Sequence, residues 1–284
     1  MKRLWTLFAN FSMQKKLVVI FVFLITLPII YVSYSSYRTN SNAKLASTTE
    51  SAGQLADNAM DKVDRYIADL KRYTILPLYN KDVQRLLDQE GTDWEKNSTV
   101  HMFLSYLTHM KDEISAVYMT DRYGMIFYNN KSGQHEPYPY ERLAEWKKQT
   151  AAAGVAPVLV GTHPIRVNGS EELQVFSVMR SIQSISTLEY IGMIVIDVDA
   201  RLFEGIIQPL NNVTHGNAVI VDENGRIVYD SDPARLGQDL TGSPLLAGAT
   251  ESRGSFRLNI GGEPYIAVYS VSGQTGWKTL VTIP

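Results

Sequence analysis

Nucleophilic catalysis needs a nucleophile, a base and an orienting group within reach of one another, and this sequence spells out no such set. Cysteine is absent, which removes thiolate nucleophiles, thiolate metal sites and iron–sulfur clusters together. Neither G-x-x-x-x-G-K-[ST] nor G-x-S-x-G occurs, so no phosphate-binding P-loop or nucleophile elbow is expected. Ser12 and Lys15 have the spacing of a serine–lysine acylating pair but stand at the mouth of a long apolar segment. The histidines are His101, His109, His135, His163 and His215. None lies at metal-ligand spacing, and each reads as a core or surface residue. Asp197 and Asp199 flank one residue at the end of an apolar strand, without the further oxygens a calcium loop requires. Asp230-Ser-Asp232 precedes Pro233 and reads as turn chemistry. The sequons at Asn10, Asn97, Asn168 and Asn212 would matter only in a eukaryotic secretory route. The expectation is a protein with no catalytic residues, no metal and no cofactor.

Composition narrows the class further. The 284 residues are 45% hydrophobic and 20% charged, which is globular, and the net charge of −2 offers no electrostatic footprint for nucleic acid. The 16 tyrosines suit a tyrosine-rich surface or cleft.

One segment departs from the average. Residues 17–37 carry no charge, and Leu17 to Ile25 is continuously apolar. About 20 such residues span a bilayer core. Lys2, Arg3, Lys15 and Lys16 precede the segment and argue for a cytoplasmic N-terminus, while Tyr31, Tyr34 and Tyr37 suit the far interface. Pro28 inside it is tolerable in a membrane helix. A cleaved signal peptide would want a shorter core and a small-x-small site. The text after the core, Tyr31-Val-Ser-Tyr-Ser-Ser-Tyr37, is a poor match, which favours an uncleaved anchor over residues 15–37.

Beyond the anchor, Leu55, Ala59, Val63, Tyr66, Ile67, Leu70 and Tyr73 recur at helical steps, with Asp57, Asp61, Lys62, Asp64, Arg65, Asp69 and Lys71 on the other face. Pro77 stops or kinks that helix. Helical stretches at 81–88 and 94–112 follow. Then comes a hairpin, 115–121 and 125–129, across Arg122-Tyr-Gly124. A helix at 138–153 is followed by strands at 158–161, 173–182 and 190–198, with a turn at Asn168-Gly-Ser170. The grammar then repeats: a helix at 199–210, a hairpin at 217–222 and 226–229 across Glu223-Asn-Gly225, and strands at 255–260, 265–270 and 277–283. Antiparallel runs with segregated helices predict an α+β fold.

Three stretches carry a family likeness. Tyr190-Ile-Gly-Met-Ile-Val-Ile-Asp197 sets a glycine five residues before an acid. Asp222-Glu-Asn-Gly-Arg-Ile-Val-Tyr-Asp-Ser-Asp-Pro-Ala-Arg-Leu-Gly237, followed by Leu240, is the most specific, and Gly276-Trp277-Lys-Thr-Leu-Val-Thr-Ile283 is the third. With the order anchor, long helix and two sheet modules, residues 38–284 resemble the double Cache (dCache) sensor domain. Lys15 to Tyr37 is similar to the first membrane helix of YesM-type sensor histidine kinases of Gram-positive bacteria. The resemblance implies tandem PAS-like modules with mixed or antiparallel sheets: a cytoplasmic N-terminus 1–14, a membrane helix 15–37, a signalling helix 38–86, a membrane-distal module 87–200 and a membrane-proximal module 201–284.

The resemblance also implies a small-molecule ligand, carbohydrate-related by the family's usual company, held in the distal module outside the cell. The signal would pass through the membrane, in a parallel homodimer, to a kinase and its response regulator. The family's last strand runs into a second membrane helix, whereas this sequence stops at Pro284, so either a truncated chain or a sensor without its own output is expected. Chemoreceptor or nucleotide cyclase output, a tethered enzyme and an adaptor stay open. Amino-acid-binding members hold the ligand carboxylate with an Arg-x-Trp-Tyr cluster; the nearest text here, Arg142-Leu-Ala-Glu-Trp146, is spaced differently. Asp197 matches the family's acidic position, which also suits a polyol or sugar as a hydrogen-bond acceptor. Trp146 either stacks on a ligand or packs helix against sheet, and Arg180, inside an otherwise apolar strand, faces the cleft or pairs with an acid such as Asp197. Tyr118 and Tyr128 on the first hairpin complete the candidate ligand-binding residues.

Overall fold

The computed structural model describes residues 13–131, 138–167 and 171–284. The expected turn at 168–170 and His135 lie outside them. The chain divides into two compact units, Met1–Glu50 and Ser51–Pro284. Helix α1 (Met13–Tyr73) begins in the first and runs into the second, with Pro28 accommodated inside it. Among the described residues, one helix is long and apolar enough to cross a membrane. The first unit's Leu17, Phe21, Phe23, Leu24 and Ile30 are all exposed, and a hydrocarbon phase is the solvent such a surface suits.

In the second unit α1 buries Ala52, Ala56, Ala59, Met60, Val63, Ile67 and Leu70, a stripe at three- and four-residue steps. The expected stripe extends one turn earlier and is rich in alanine, which brings the helix backbone close to what it packs on. The helix ends at Tyr73 rather than at Pro77. Pro77 lacks the N–H that would bond the Tyr73 carbonyl, and it sits instead in the first turn of α2 (Leu76–Tyr79). Short α3 (Lys81–Leu87) starts on an Asn80 side-chain cap and α4 (Trp94–Thr108) on an Asp93 cap.

Two five-stranded antiparallel sheets follow. The first contains β1 (Ile114–Asp121), β2 (Ile126–Asn130), β3 (Val158–Val167), β4 (Glu171–Gln183) and β5 (Tyr190–Asp199), in the order β2-β1-β5-β4-β3. The second contains β6 (Asn217–Val221), β7 (Ile227–Tyr229), β8 (Arg253–Ile260), β9 (Glu263–Val271) and β10 (Lys278–Ile283), in the order β7-β6-β10-β9-β8. The second order repeats the first strand for strand. Helix α5 (Tyr140–Ala153) covers the interval between β2 and β3; a 3₁₀ turn at Pro233–Arg235 and α7 (Pro244–Ala247) fill the matching interval between β7 and β8. Helix α6 (Leu202–Thr214) leads into the second sheet as α4 leads into the first.

Period-two alternation assigns the two faces of the first sheet. Ile114, Val117, Met119, Val178, Ile194 and Ile196 share one core with α1 and α4. Ala116, Tyr118, Val175, Met179, Met193 and Val195 share another with α5. Strand β1 is therefore buried at all eight positions. Gly192 of the recognised stretch is needed by close approach: a Cβ there would lie 2.2 Å from the Thr120 carbonyl oxygen of β1.

Candidate functional site

The layer between the first sheet and α5 gathers the polar and aromatic residues that alternation throws to that face. Asp197 on β5 pairs in register with Ser177 on β4 and Ala116 on β1, and it is fully buried. The Ser177 hydroxyl donates to Asp197 Oδ1 at 2.6 Å, and the Tyr138 hydroxyl stands 2.8 Å from Oδ2. The same hydroxyl stands 2.9 Å from His163 Nε2, while His163 Nδ1 lies 2.9 Å from the Gly161 carbonyl oxygen. Burial pushes the Asp197 carboxyl up to about 7, against the opposing pull of Ser177, Tyr138 and the Arg142 charge. Burial also pulls the His163 imidazole down to about 4.

Proton bookkeeping accounts for this arrangement. His163 Nδ1–H donates to the Gly161 carbonyl, so Nε2 accepts. Tyr138 has one proton and two neighbours that could accept it. Below about pH 7 a protonated Asp197 resolves the conflict, because its O–H can donate to the Tyr138 oxygen and leave the Tyr138 proton for His163. When Asp197 ionises, Tyr138 donates to the carboxylate, and the hydroxyl left near His163 Nε2 is that of Ser177, at the longer distance of 3.4 Å and itself bonded to Asp197. The neutral pair satisfies every member of the chain, which a dry site demands.

Aromatic rings wall the acid. Tyr138 lies 4.9 Å from Tyr118, 4.8 Å from Trp146 and 5.9 Å from His163, centroid to centroid. Tyr118 stacks at 5.9 Å on Tyr128, its cross-strand partner in the β1–β2 register. The Tyr118 hydroxyl is buried with no hydrogen-bond partner among the described residues, and burial first, then the Asp197 charge, raises its pKa.

Four of the five residues expected from the sequence therefore meet in one layer: Asp197, Trp146, Tyr118 and Tyr128. Arg180 does not join them. It pairs in register with Ile194, on the α1 face of β4, and neither enters the layer nor pairs with Asp197. Its guanidinium bonds the Thr74 hydroxyl at 2.9 Å and the Val155 carbonyl, tying α1 to the end of α5. Period two explains the difference, since Arg180 stands an odd number of residues from Ser177. Sequence reasoning passed over Tyr138, His163, Ser177 and Arg142. Ser177 shares the parity of Met179 on β4, a usable signal. The spacing of Arg142 and Trp146 differs from the Arg-x-Trp-Tyr cluster, yet four residues is one helical turn, and the Arg142 guanidinium stands 5.8 Å over the Trp146 ring and 5.9 Å from Tyr138. Among the described residues no group of three or more His, Asp or Glu is placed to hold a metal ion.

No curated protein matches the chain. Solved structures do. The sensory domain of the Campylobacter jejuni chemoreceptor Tlp3 with isoleucine bound superposes with a TM-score of 0.60 at 15% identity, covering 85% of this chain and 94% of that one. The ligand-binding domain of the Pseudomonas aeruginosa amino acid chemoreceptor PctC, in complex with GABA, gives 0.57 at 13% identity, covering 83% and 97%. That of the Pseudomonas fluorescens chemoreceptor CtaA, in complex with L-isoleucine, gives 0.55 at 14% identity, covering 86% and 95%. At these identities the likeness is one of fold. The sequence itself matches the dCache_1 family, described as Cache domain, over residues 33–284, and the chain belongs to that family.

Proposed function

We propose that this Cache sensor domain is the extracytoplasmic part of a membrane receptor that binds a small polar molecule between the first sheet and α5. The observation that carries the reading is Asp197, a buried acid held by two hydroxyls and walled by aromatic rings. A ligand N–H or O–H reaching it replaces the Tyr138 hydroxyl, and the rings of Tyr118, Tyr128 and Trp146 supply apolar contact. Arg142 beside the same rings adds a positive charge, which supports a zwitterion such as an amino acid alongside a sugar or polyol; the related domains named above were solved with isoleucine and GABA. Ligand binding shifts the population between two arrangements of the first sheet against α1, by no more than the ligand's differential affinity for them. Helix α1 continues into the apolar segment of residues 17–37, a route for that shift to cross a bilayer. The basic flank of that segment supports a cytoplasmic N-terminus. The likeness to YesM-type sensor histidine kinases favours kinase output from a homodimer, with chemoreceptor output the other supported reading.

Two measurements test this. A panel of amino acids and sugars is screened for thermal stabilisation of the chain in detergent micelles. At least one class is expected to raise the midpoint, and Asp197→Ala is expected to abolish the shift. A hit that Asp197→Ala leaves intact would move the ligand elsewhere. Reporter fusions after residue 60 should be active only outside the cytoplasm.

A further inference from the structure

Helix α5 has two flanks. Arg142 and Trp146 turn one toward His163 and the acid. The other carries Tyr140, Ala144, Lys147, Lys148 and Ala151, which follow one another at helical steps on the far side of the buried stripe Leu143, Trp146 and Thr150. That second flank lines a cleft of about 380 Å³, closed across from it by Thr120, Gly124 and Ile126 of the first hairpin and by Tyr190 at the start of β5. Tyr190 and Asp197 stand at opposite ends of β5, so the cleft opens at the other end of the sheet–helix layer from the acid, with Leu143 shared between the two.

Its chemistry is one-sided. The walls are mostly apolar, from Ile126, Leu143, Ala144, Ala151 and the tyrosine rings. Asp121 also reaches the cleft, but its carboxylate is spent. It pairs with Lys96 Nζ at 2.6 Å and accepts the Tyr123 and Met125 backbone N–H groups. Two ammonium groups remain. Lys147 lies 4.7 Å over the Tyr190 ring, and among the described residues neither Lys147 nor Lys148 has an acidic partner. The Tyr190 hydroxyl is buried next to Thr120 without a well-formed hydrogen bond.

We infer that this cleft is a second binding site, for a small organic anion with an apolar body: a monocarboxylate whose chain or ring fills the cleft while Lys147 and Lys148 hold the carboxylate. An apolar cavity of this size with cations and a buried hydroxyl donor, and no free carboxylate, complements that class and repels cations.

The probes are phenylacetate and 4-methylpentanoate, with phenylacetamide as the uncharged control, titrated calorimetrically into the full chain in detergent micelles. At least one acid is expected to bind saturably at millimolar concentration or below. The amide should bind about tenfold more weakly or not at all. The double variant K147Q/K148Q, whose side chains are exposed and whose fold should be unaffected, is expected to lose about tenfold in acid affinity, and Tyr190→Phe to lose a smaller factor. Asp197→Asn should leave acid binding unchanged, which separates this cleft from the acid's end of the layer. Absence of binding by both acids, equal binding of the amide, or sensitivity to Asp197→Asn with indifference to K147Q/K148Q would each overturn the inference.

Discussion

Between about pH 4 and 7 the folded pair of Asp197 and His163 holds one proton, on the acid, and between about pH 4 and 6.5 the unfolded chain also holds one, on the histidine. Folded Asp197 keeps its proton up to about 7, against an ordinary carboxyl near 4. Asp197 therefore contributes stability that is full below the unfolded pKa and is lost as pH rises through the folded one. Folded His163 refuses a proton down to about 4, against an ordinary value near 6.5. Its contribution is present above the unfolded pKa and is lost as pH falls through the folded one. The two slopes oppose each other between about pH 4 and 6.5 and largely cancel. Asp197→Asn is expected to expose the histidine slope, so that stability relative to wild type rises with pH over that window by about 1 kcal/mol per unit. His163→Gln is expected to show the reverse, falling with pH up to about 7. Thermal midpoints of the three proteins across pH 4 to 7.5 measure this. Parallel profiles would show that the residues are not linked as described.

Two buried charged residues bind elements together. Lys96 on α4 is fully buried, and its ammonium bonds Asp121 Oδ2, the Gln89 carbonyl and the Gly91 carbonyl at 2.6 to 3.1 Å. It fastens the start of α4 to the β1–β2 turn. Lys96→Met leaves Asp121 charged and buried without its counter-ion, and about 3–5 kcal/mol of stability should be lost in a denaturant titration. The double variant K96M/D121N should recover part of it. Arg180 fastens α1 to β4 and to the end of α5. Its exchange for Met is expected to cost about 2 kcal/mol, while the affinity of whichever ligand stabilises the wild type stays unchanged; a selective loss of affinity would return Arg180 to the pocket. The polar face of α1 serves likewise. Asp57, Asp64 and Asp69 meet Arg253, Ser272 and Lys111 from the modules, so only part of that charged face is solvated.

The two sheets share one core. Phe176 of β4, Phe203 of α6 and Trp277 before β10 meet at centroid distances of 5.3 to 6.0 Å, and Trp277 is fully buried with its indole N–H donating to Glu223. Trp277→Ala should cost about 3–5 kcal/mol. With Trp5 and Trp94 also exchanged for Phe, so that the fluorescence comes from Trp146 in the first sheet's layer, that signal should melt at the same lowered temperature as the helical circular dichroism. Separate transitions for the two signals would deny a common core.

What the sequence determined by itself was everything that rests on local periodicity and punctuation. The apolar segment, the stripe on α1, both hairpins and the repeated order of strands follow from spacings of two, three and four residues and from Asp and Gly at turns, and these act within a few residues of the chain. Asp197 at the end of an apolar run was visible for the same reason. Only the tertiary structure decided which face of each strand meets which helix. That choice brought Tyr138, His163 and Ser177 to Asp197 from 59, 34 and 20 positions away, sent Arg180 to the opposite side, and separated the two flanks of α5. Burial from both sides leaves β1 and β5 with no polar alternation to read, and the shifted proton affinities of Asp197 and His163 come from desolvation, a property of the packed layer and not of any short stretch of sequence.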